Sequence, residues 1–380
     1  MFDHTLNDEQ KMLREAARDY CDKRVRPNAE AWDHAERVPD EIFKEMTELG
    51  YFSLLCPEEY GGMALDTMAY AVVHEEFNRA SAGLGIIMSV HNSLVGGAIK
   101  RFGTDVQKQE WLPAMCAGKF GAYCLSEPDS GTDAGSLKLS AKSDGDSYIL
   151  NGEKMFVTNA DYAKFYLVFA STNPSLGTKG ITAILVDRDV AGVEVGKPER
   201  KMGIKCSDTR SVSFSDVRVP KSNRLGDEGQ GFKIALSQLD HGRIGVAIQA
   251  LGIGEAAYDE ALKYSRQRQQ FGKPICEFQA IAFKLADMRM KLDATRLMVD
   301  YAVRRMAAGE RVTREASEAK LFASETANWV ADQAVQIHGG YGYMKEYAVE
   351  RYFRDARITE IYEGTSEAQR IVISRAILAG

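Results

Sequence analysis

The chain has 380 residues, 45% hydrophobic and 27% charged, with 48 Lys and Arg against 54 Asp and Glu and a formal net charge of −6. This describes an ordinary globular protein with room for two or three domains, and it gives no support to nucleic-acid binding. No run of about 20 uninterrupted apolar residues stands out as a membrane span, since the most apolar stretch, residues 82–99, contains His91, Asn92 and Ser93 and reads as a buried helix.

Taken from its start, Met1-Phe2-Asp3-His4 has neither the basic beginning nor the apolar core of a signal peptide. From Asn7 to about Gly118 the pattern is helical. Asn7 caps a helix with Asp8 and Glu9 in its first turn, and Met12, Leu13, Ala16 and Tyr20 recur at helical spacing. Ile42, Phe43, Met46 and Leu49 do the same before Gly50 stops that helix, and residues 57–62 form a loop. Near Phe120 the texture changes. Tyr148-Ile149-Leu150, Asn151-Gly152 and Met155-Phe156-Val157 read as a hairpin closed by a type I′ Asn-Gly turn. Residues 165–170, 181–186 and 212–219 are further strands.

After Gly231 the helical period returns. One run reaches about Gln270, a second spans roughly residues 278–308, a third starts at a Thr313 cap and ends at Gly339-Gly340, and the last follows Thr365. Four helices with short connections suggest a four-helix bundle. The expected architecture is α+β and mainly helical: an N-terminal helical domain (1–118), a middle β domain (119–230) and a C-terminal helical bundle (231–380).

Gly252-Ile253-Gly254-Glu255-Ala256-Ala257 matches a dinucleotide fingerprint in letters only. The fingerprint needs a preceding strand, whereas these glycines lie inside a helical run and suit close helix packing. The six cysteines, Cys21, Cys56, Cys116, Cys124, Cys206 and Cys276, form no Cys-x-x-Cys and read as buried free thiols in a reducing compartment. The scattered histidines suggest no metal site, and no Gly-x-Ser-x-Gly elbow is present.

The most informative segment is Tyr362-Glu363-Gly364-Thr365-Ser366-Glu367. Gly364 permits a sharp corner and Thr365 is a good N-cap for the final helix, so Glu363 is aimed sideways, as a general base would be. The alternative is that Glu363 only interacts with the helix N-terminus.

Other segments accompany it in order: Tyr123-Cys124-Leu125-Ser126-Glu127-Pro128 running to Gly131-Thr132, Phe156-Val157-Thr158-Asn159, Asp240-His241-Gly242-Arg243, Arg268-Gln269-Gln270-Phe271-Gly272, and Gln336-Ile337-His338-Gly339-Gly340. Together they resemble the acyl-CoA dehydrogenase family over nearly the whole chain, most nearly its short-chain, butyryl-CoA branch. The resemblance implies FAD as cofactor. Leu125, Ser126 and Thr132, with their neighbours Tyr123, Cys124 and Gly131, would contact the isoalloxazine and pyrophosphate. Phe156, Val157 and Thr158 would cover the ring; many relatives have tryptophan in place of Phe156. Arg268, Phe271, Gln279, Gln336, Gly339 and Gly340 would reach the AMP half of FAD from a neighbouring subunit, which implies a homotetramer. Thr365 and Glu367 complete that set, although some relatives carry glutamine at Glu367.

The implied reaction is α,β-dehydrogenation of an acyl-CoA thioester, with Glu363 removing the α proton and flavin N5 taking the β hydride. The Glu363 N–H and a flavin ribityl hydroxyl would hold the thioester oxygen. Thr132, Asp240, Arg243, Tyr362 and Gly364 fall on the substrate side. Some members carry the acid at the position of Gly242, which cannot act as a base, and Ser366 departs from the histidine of the decarboxylating glutaryl branch. A helix N-terminus lowers the pKa of Glu363 while an apolar cleft raises it, and desolvation is expected to win once substrate excludes water. The implied electron acceptor is an electron-transfer flavoprotein, and the implied location the cytoplasm, or the mitochondrial matrix after loss of a transit peptide. An oxidase or monooxygenase on the same scaffold, and a non-catalytic flavin or CoA-ester binder, remain the alternatives.

Overall fold

The computed structural model describes residues 5–379, so Met1-Phe2-Asp3-His4 lies outside the described residues. The first part is helical: α1 (Asp8–Tyr20), α2 (Ala29–Ala35), α3 (Asp40–Glu48), α4 (Thr67–Ala80), α5 (Ala82–Ser89), α6 (Gly97–Phe102) and α7 (Asp105–Cys116). Asn7 Oδ1 accepts the Gln10 N–H at 2.8 Å while Gln10 Oε1 accepts the Asn7 N–H at 3.2 Å, a reciprocal cap that fixes the start of α1.

Between α5 and α6 the chain makes a π-helical turn, Val90–Gly96. Contrary to the sequence expectation, Ala82–Phe102 is long and apolar enough to pass for a membrane span, yet 89% of its apolar window is packed inside the protein. Its polar interruption does not break it. Asn92 donates to Tyr51 O at 2.9 Å and Ser93 Oγ to Ser89 O at 2.8 Å, so both are satisfied where they are buried.

The middle of the chain forms one mixed sheet from β1 (Phe120–Cys124), β2 (Ser140–Asp144), β3 (Ser147–Thr158), β4 (Ala163–Ser171), β5 (Ile181–Asp187), β6 (Val193–Val195), β7 (Thr209–Pro220) and β8 (Arg224–Leu225). The order is β6-β7-β3-β2-β4-β5-β8, with β1 added parallel to β4. The predicted Asn151-Gly152 turn is absent. β3 runs through it, and the hairpin with β2 turns instead at Gly145-Asp146. Gly152 takes φ +143° where the β3–β7 register shifts, so the glycine serves a bulge. A side chain there would stand 2.8 Å from Leu139 Cα.

The last part holds α8 (Gly231–Gln267), a small β9 (Gln269–Gln270) and β10 (Lys273–Pro274) hairpin, α9 (Gln279–Ala307), α10 (Thr313–His338), α11 (Val349–Ile358) and α12 (Ser366–Leu378). Two expectations need correction. A fifth helix, α11, was not anticipated, and Thr313 is the first residue of α10 rather than its cap, with its hydroxyl donating to Asp240 Oδ2 at 2.7 Å. α8 packs on α10, α9 and α4 and is the central helix. The fingerprint glycines lie inside it: a Cβ at Gly252 would meet Asn78 Cβ at 2.9 Å, and one at Gly254 would meet Leu292 Cδ2 at 2.7 Å. Of the six free thiols, only Cys21, Cys124 and Cys206 are fully buried; Cys56, Cys116 and Cys276 are half-buried, contrary to the expectation.

Candidate active site

The corner after α11 places Glu363. Thr365 Oγ1 accepts the Ala368 N–H at 3.2 Å, which starts α12 at Ser366. Gly364 takes φ +91°, and Glu363 itself takes φ +56°, a region that costs a non-glycine residue roughly 1–3 kcal/mol. Side chains hold this strained turn from behind. Gln369 Nε2 donates to Gly364 O at 2.8 Å and to Glu363 O at 3.2 Å, and Lys320 Nζ donates to Gly364 O at 2.7 Å.

The Glu363 carboxylate is thereby turned inward. Its Oε2 is sealed from solvent with no hydrogen-bond partner. Burial pushes its pKa up to about 7, against the lowering pull of the Arg243 and Lys320 charges. A poised carboxyl with an unfilled lone pair is what a general base requires.

Glu363 lines a cavity of about 400 Å³ with Tyr123, Leu125, Ser126, Gly131, Thr132, Phe156, Thr158, Arg243, Tyr362 and Gly364. The structure therefore gathers the predicted flavin and substrate residues from the sheet, α8 and the final corner into one cleft. Two do not join it. Cys124 and Val157 are 0% and 1% exposed, and their side chains lie in the core of the sheet. Strand alternation explains this, because Cys124 lies between Tyr123 and Leu125, and Val157 between Phe156 and Thr158. The cleft also uses Val90 and Leu94 of the π-turn and Leu236 and Leu239 of α8. Phe232, Met155 and Thr178 were missed.

Phe156 is 66% exposed and has φ +56°. A large aromatic held outward in strained backbone suits a shelf for a flat ring. Hydroxyl-bearing Ser126, Thr132 and Thr158 and the open backbone at Gly131 supply polar contacts around it. This set fits a flavin ring.

A buried ion pair clips the two shelf segments together. Lys154, next to Met155 and Phe156, donates to Glu127 Oε1 at 2.7 Å and to Leu125 O at 3.0 Å. Glu127 also accepts the Lys138 and Leu139 N–H groups at 2.6 and 3.1 Å. Lys154 carried no sequence signal, because a lysine in a strand reads as a surface residue.

Tyr362 donates its hydroxyl to Gln249 Oε1, and Arg243 donates to Asp240 Oδ1 at 2.9 Å. Asp240 and Arg243 border a neighbouring cavity of about 730 Å³ whose wall includes the cations Arg101, Lys233 and Arg311. That mouth suits a phosphate-bearing ligand.

The other predicted residues lie elsewhere. Arg268, Gly339 and Gly340 line a separate cavity of about 530 Å³ with Tyr264, His338 and Tyr341, and it shares no lining residue with the Glu363 cleft. The Arg268 guanidinium stands 5.3 Å from the Tyr341 ring centre. Phe271 is 94% exposed at φ +51° in the β9–β10 turn, and Gln279, Gln336 and Glu367 are exposed. A single chain does not bring these residues to the flavin shelf.

Comparison with known proteins identifies the family. Sequence profiles for the N-terminal, middle and C-terminal domains of acyl-CoA dehydrogenase match residues 7–119, 122–217 and 229–378. The mitochondrial short-chain specific acyl-CoA dehydrogenase of Bos taurus is 48% identical over 98% of this chain and 91% of its own. A 3-(aryl)acrylate reductase of Clostridium sporogenes is 47% identical over 98% and 99%. The solved butyryl-CoA dehydrogenase of Megasphaera elsdenii is 45% identical over 98% and 99%, with a TM-score of 0.96. With the family fold and its FAD-dependent chemistry, this chain belongs to the acyl-CoA dehydrogenases.

Proposed function

We propose that the chain oxidises the Cα–Cβ bond of a short-chain acyl-CoA, with Glu363 as the base that removes the α proton. The observation that carries this reading is the unpartnered, buried Oε2 of Glu363, whose pKa is raised to about 7 inside the cleft that holds the flavin-shelf residues. At that pKa the carboxylate is populated near neutral pH and is still basic enough to accept a proton. FAD, when bound, supplies the acceptor for the β hydrogen and its electron pair, a role no side chain can fill.

The remaining work falls to the protein. Apolar Val90, Leu94, Leu236 and Leu239 exclude water from the acyl chain, which strengthens every charge interaction inside. The Glu363 N–H holds the thioester oxygen as enolate character develops. Arg101, Lys233 and Arg311 receive the CoA phosphates at the mouth. The cleft draws its walls from the helical unit 1–118, the β unit 119–230 and the helical unit 231–380, and ligand sites favour such junctions.

The chain works as a homotetramer in which Arg268, Gly339 and Gly340 of one subunit serve the AMP half of FAD in another. Two features support this: their separation from the flavin cleft, and a stripe of exposed Phe283, Met290 and Leu297 along one side of α9. Spacing at every seventh residue suits packing against another helix. The partner that reoxidises the flavin is an electron-transfer flavoprotein. Free thiols, and relatives from both bacteria and mitochondria, support a reducing compartment.

The test is to add butyryl-CoA to the flavin-loaded protein without oxygen. Bleaching of the flavin spectrum that is lost in Glu363→Gln, with FAD retained, supports the base and the reaction. Bleaching only with longer or branched esters moves the substrate, and undiminished bleaching in Glu363→Gln removes the base. A second reading, net reduction of an unsaturated substrate, is favoured by similarity to the aryl-acrylate reductase. In that direction Glu363 delivers the α proton, and addition of the enoyl substrate to the reduced protein restores the oxidised spectrum.

A further inference from the structure

We propose that Lys320 of α10 is a positioning residue for Glu363: its ammonium anchors the Gly364 carbonyl and sets a positive charge behind the base. The inference rests on the reading of Glu363 as that base. Lys320 is 0% exposed, and the hydrogen bond that places it runs from Nζ to Gly364 O at 2.7 Å. Sealing an ammonium away from water costs several kcal/mol, and one neutral carbonyl offsets little of it. A methionine would fill the same space in a helix without that cost. What the lysine adds is a donor and a charge.

The donor acts on the strained corner. Glu363 stays at φ +56° because its own carbonyl and the next are held by side chains from two helices, Gln369 of α12 on both and Lys320 of α10 on the second. Fixing those carbonyls fixes the two peptide planes that follow Glu363, and with them the strained backbone from which its carboxylate turns into the cleft.

The charge acts on the proton. Desolvation lowers Lys320 to about 8, and Glu363 is the carboxylate that most opposes this lowering, followed by Glu360 and Glu367. Conversely, Arg243 and Lys320 are the two charges that hold Glu363 down against its own burial. The charged and titratable groups around the pair are Arg243 and Asp240 on α8, Glu360 after α11, Glu367 on α12, and the phenols of Tyr123 and Tyr362. Both phenols are buried and titrate well above the ordinary tyrosine range, so they stay neutral while Glu363 titrates.

The experiment follows the anaerobic rate of flavin bleaching by butyryl-CoA against pH in flavin-loaded parent, Lys320→Met, Lys320→Arg and Gln369→Met. Removing a nearby cation raises a carboxyl pKa, so the midpoint in Lys320→Met moves up by roughly one unit, and the rate below the parent midpoint falls about tenfold. Lys320→Arg keeps the charge and restores the midpoint. Gln369→Met loses a clamp without losing charge, so it slows the reaction and leaves the midpoint in place. If Lys320→Met does not retain FAD, Lys320→Gln, which keeps a donor without the charge, is read in the same way. A parent-like midpoint and rate in Lys320→Met, while Glu363→Gln is inactive, overturns the proposal and leaves the base standing. Full bleaching in Glu363→Gln overturns both.

Discussion

Gly242 lies directly against Glu363: a Cβ at Gly242 would stand 2.2 Å from Glu363 Oε2 and 2.7 Å from Cδ. The absent side chain of α8 is thus the space into which the carboxylate folds. Alanine inside a helix is ordinarily about 1 kcal/mol better than glycine. Gly242→Ala is therefore expected to keep or raise thermal stability while slowing flavin bleaching about 100-fold, because an ångström of misplacement at a reacting group has that order of effect. Parent-like bleaching in Gly242→Ala would show that the carboxylate does not need this space.

The raised pKa of Glu363 makes a prediction about pH with two parts. The dehydrogenation rate rises with pH and levels off above about 7, where the carboxylate is formed. Stability moves the other way. The folded protein holds this proton more tightly than the unfolded chain, so stability falls as pH rises from the ordinary carboxyl range to about 7 and is flat beyond. Glu363→Gln is then more stable than the parent at pH 8 by about 1–3 kcal/mol, and the difference closes toward pH 4. Parallel melting curves at the two pH values would contradict this.

How much of the site was legible turns on how local each signal is. The Glu363–Thr365 corner was readable because its glycine and cap act within a few residues, and the cap hydrogen bond formed as expected. Asn151-Gly152 misled for a related reason: glycine announces an unusual φ, and a bulge uses that as readily as a hairpin turn. Cys124 and Val157 came along with true cleft neighbours, though strand alternation points their side chains into the sheet. Lys154 and Lys320 were illegible. Each is a lysine whose partner is distant in sequence, 27 residues away for Glu127 and 44 for Gly364, and only the fold shows that it is buried.

The Lys154–Glu127 pair yields a prediction about the flavin shelf. Removing one partner strands a buried charge and costs about 3–5 kcal/mol, whereas replacing both costs far less. Lys154→Met and Glu127→Gln should each lower the melting temperature and weaken FAD retention on gel filtration. The double variant should be more stable than either single one. A double variant that loses the sum of the two single effects would show that the residues act independently.

The separation of the Arg268 cavity from the Glu363 cleft allows a test of assembly that does not depend on solving the oligomer. Suppose FAD is shared between subunits, with Arg268 given in trans. Arg268→Ala then yields oligomers poor in FAD, and Glu363→Gln yields oligomers that bind FAD without bleaching. In a mixed pair, one of the two sites combines the intact Glu363 of one subunit with the intact Arg268 of the other. Random pairing of equal amounts then restores about a quarter of the parent activity, well above either variant alone. If Arg268 and Glu363 serve the same flavin from one chain, every mixed site carries one lesion and co-expression restores nothing. Activity per bound flavin in co-purified, differently tagged subunits separates the two arrangements.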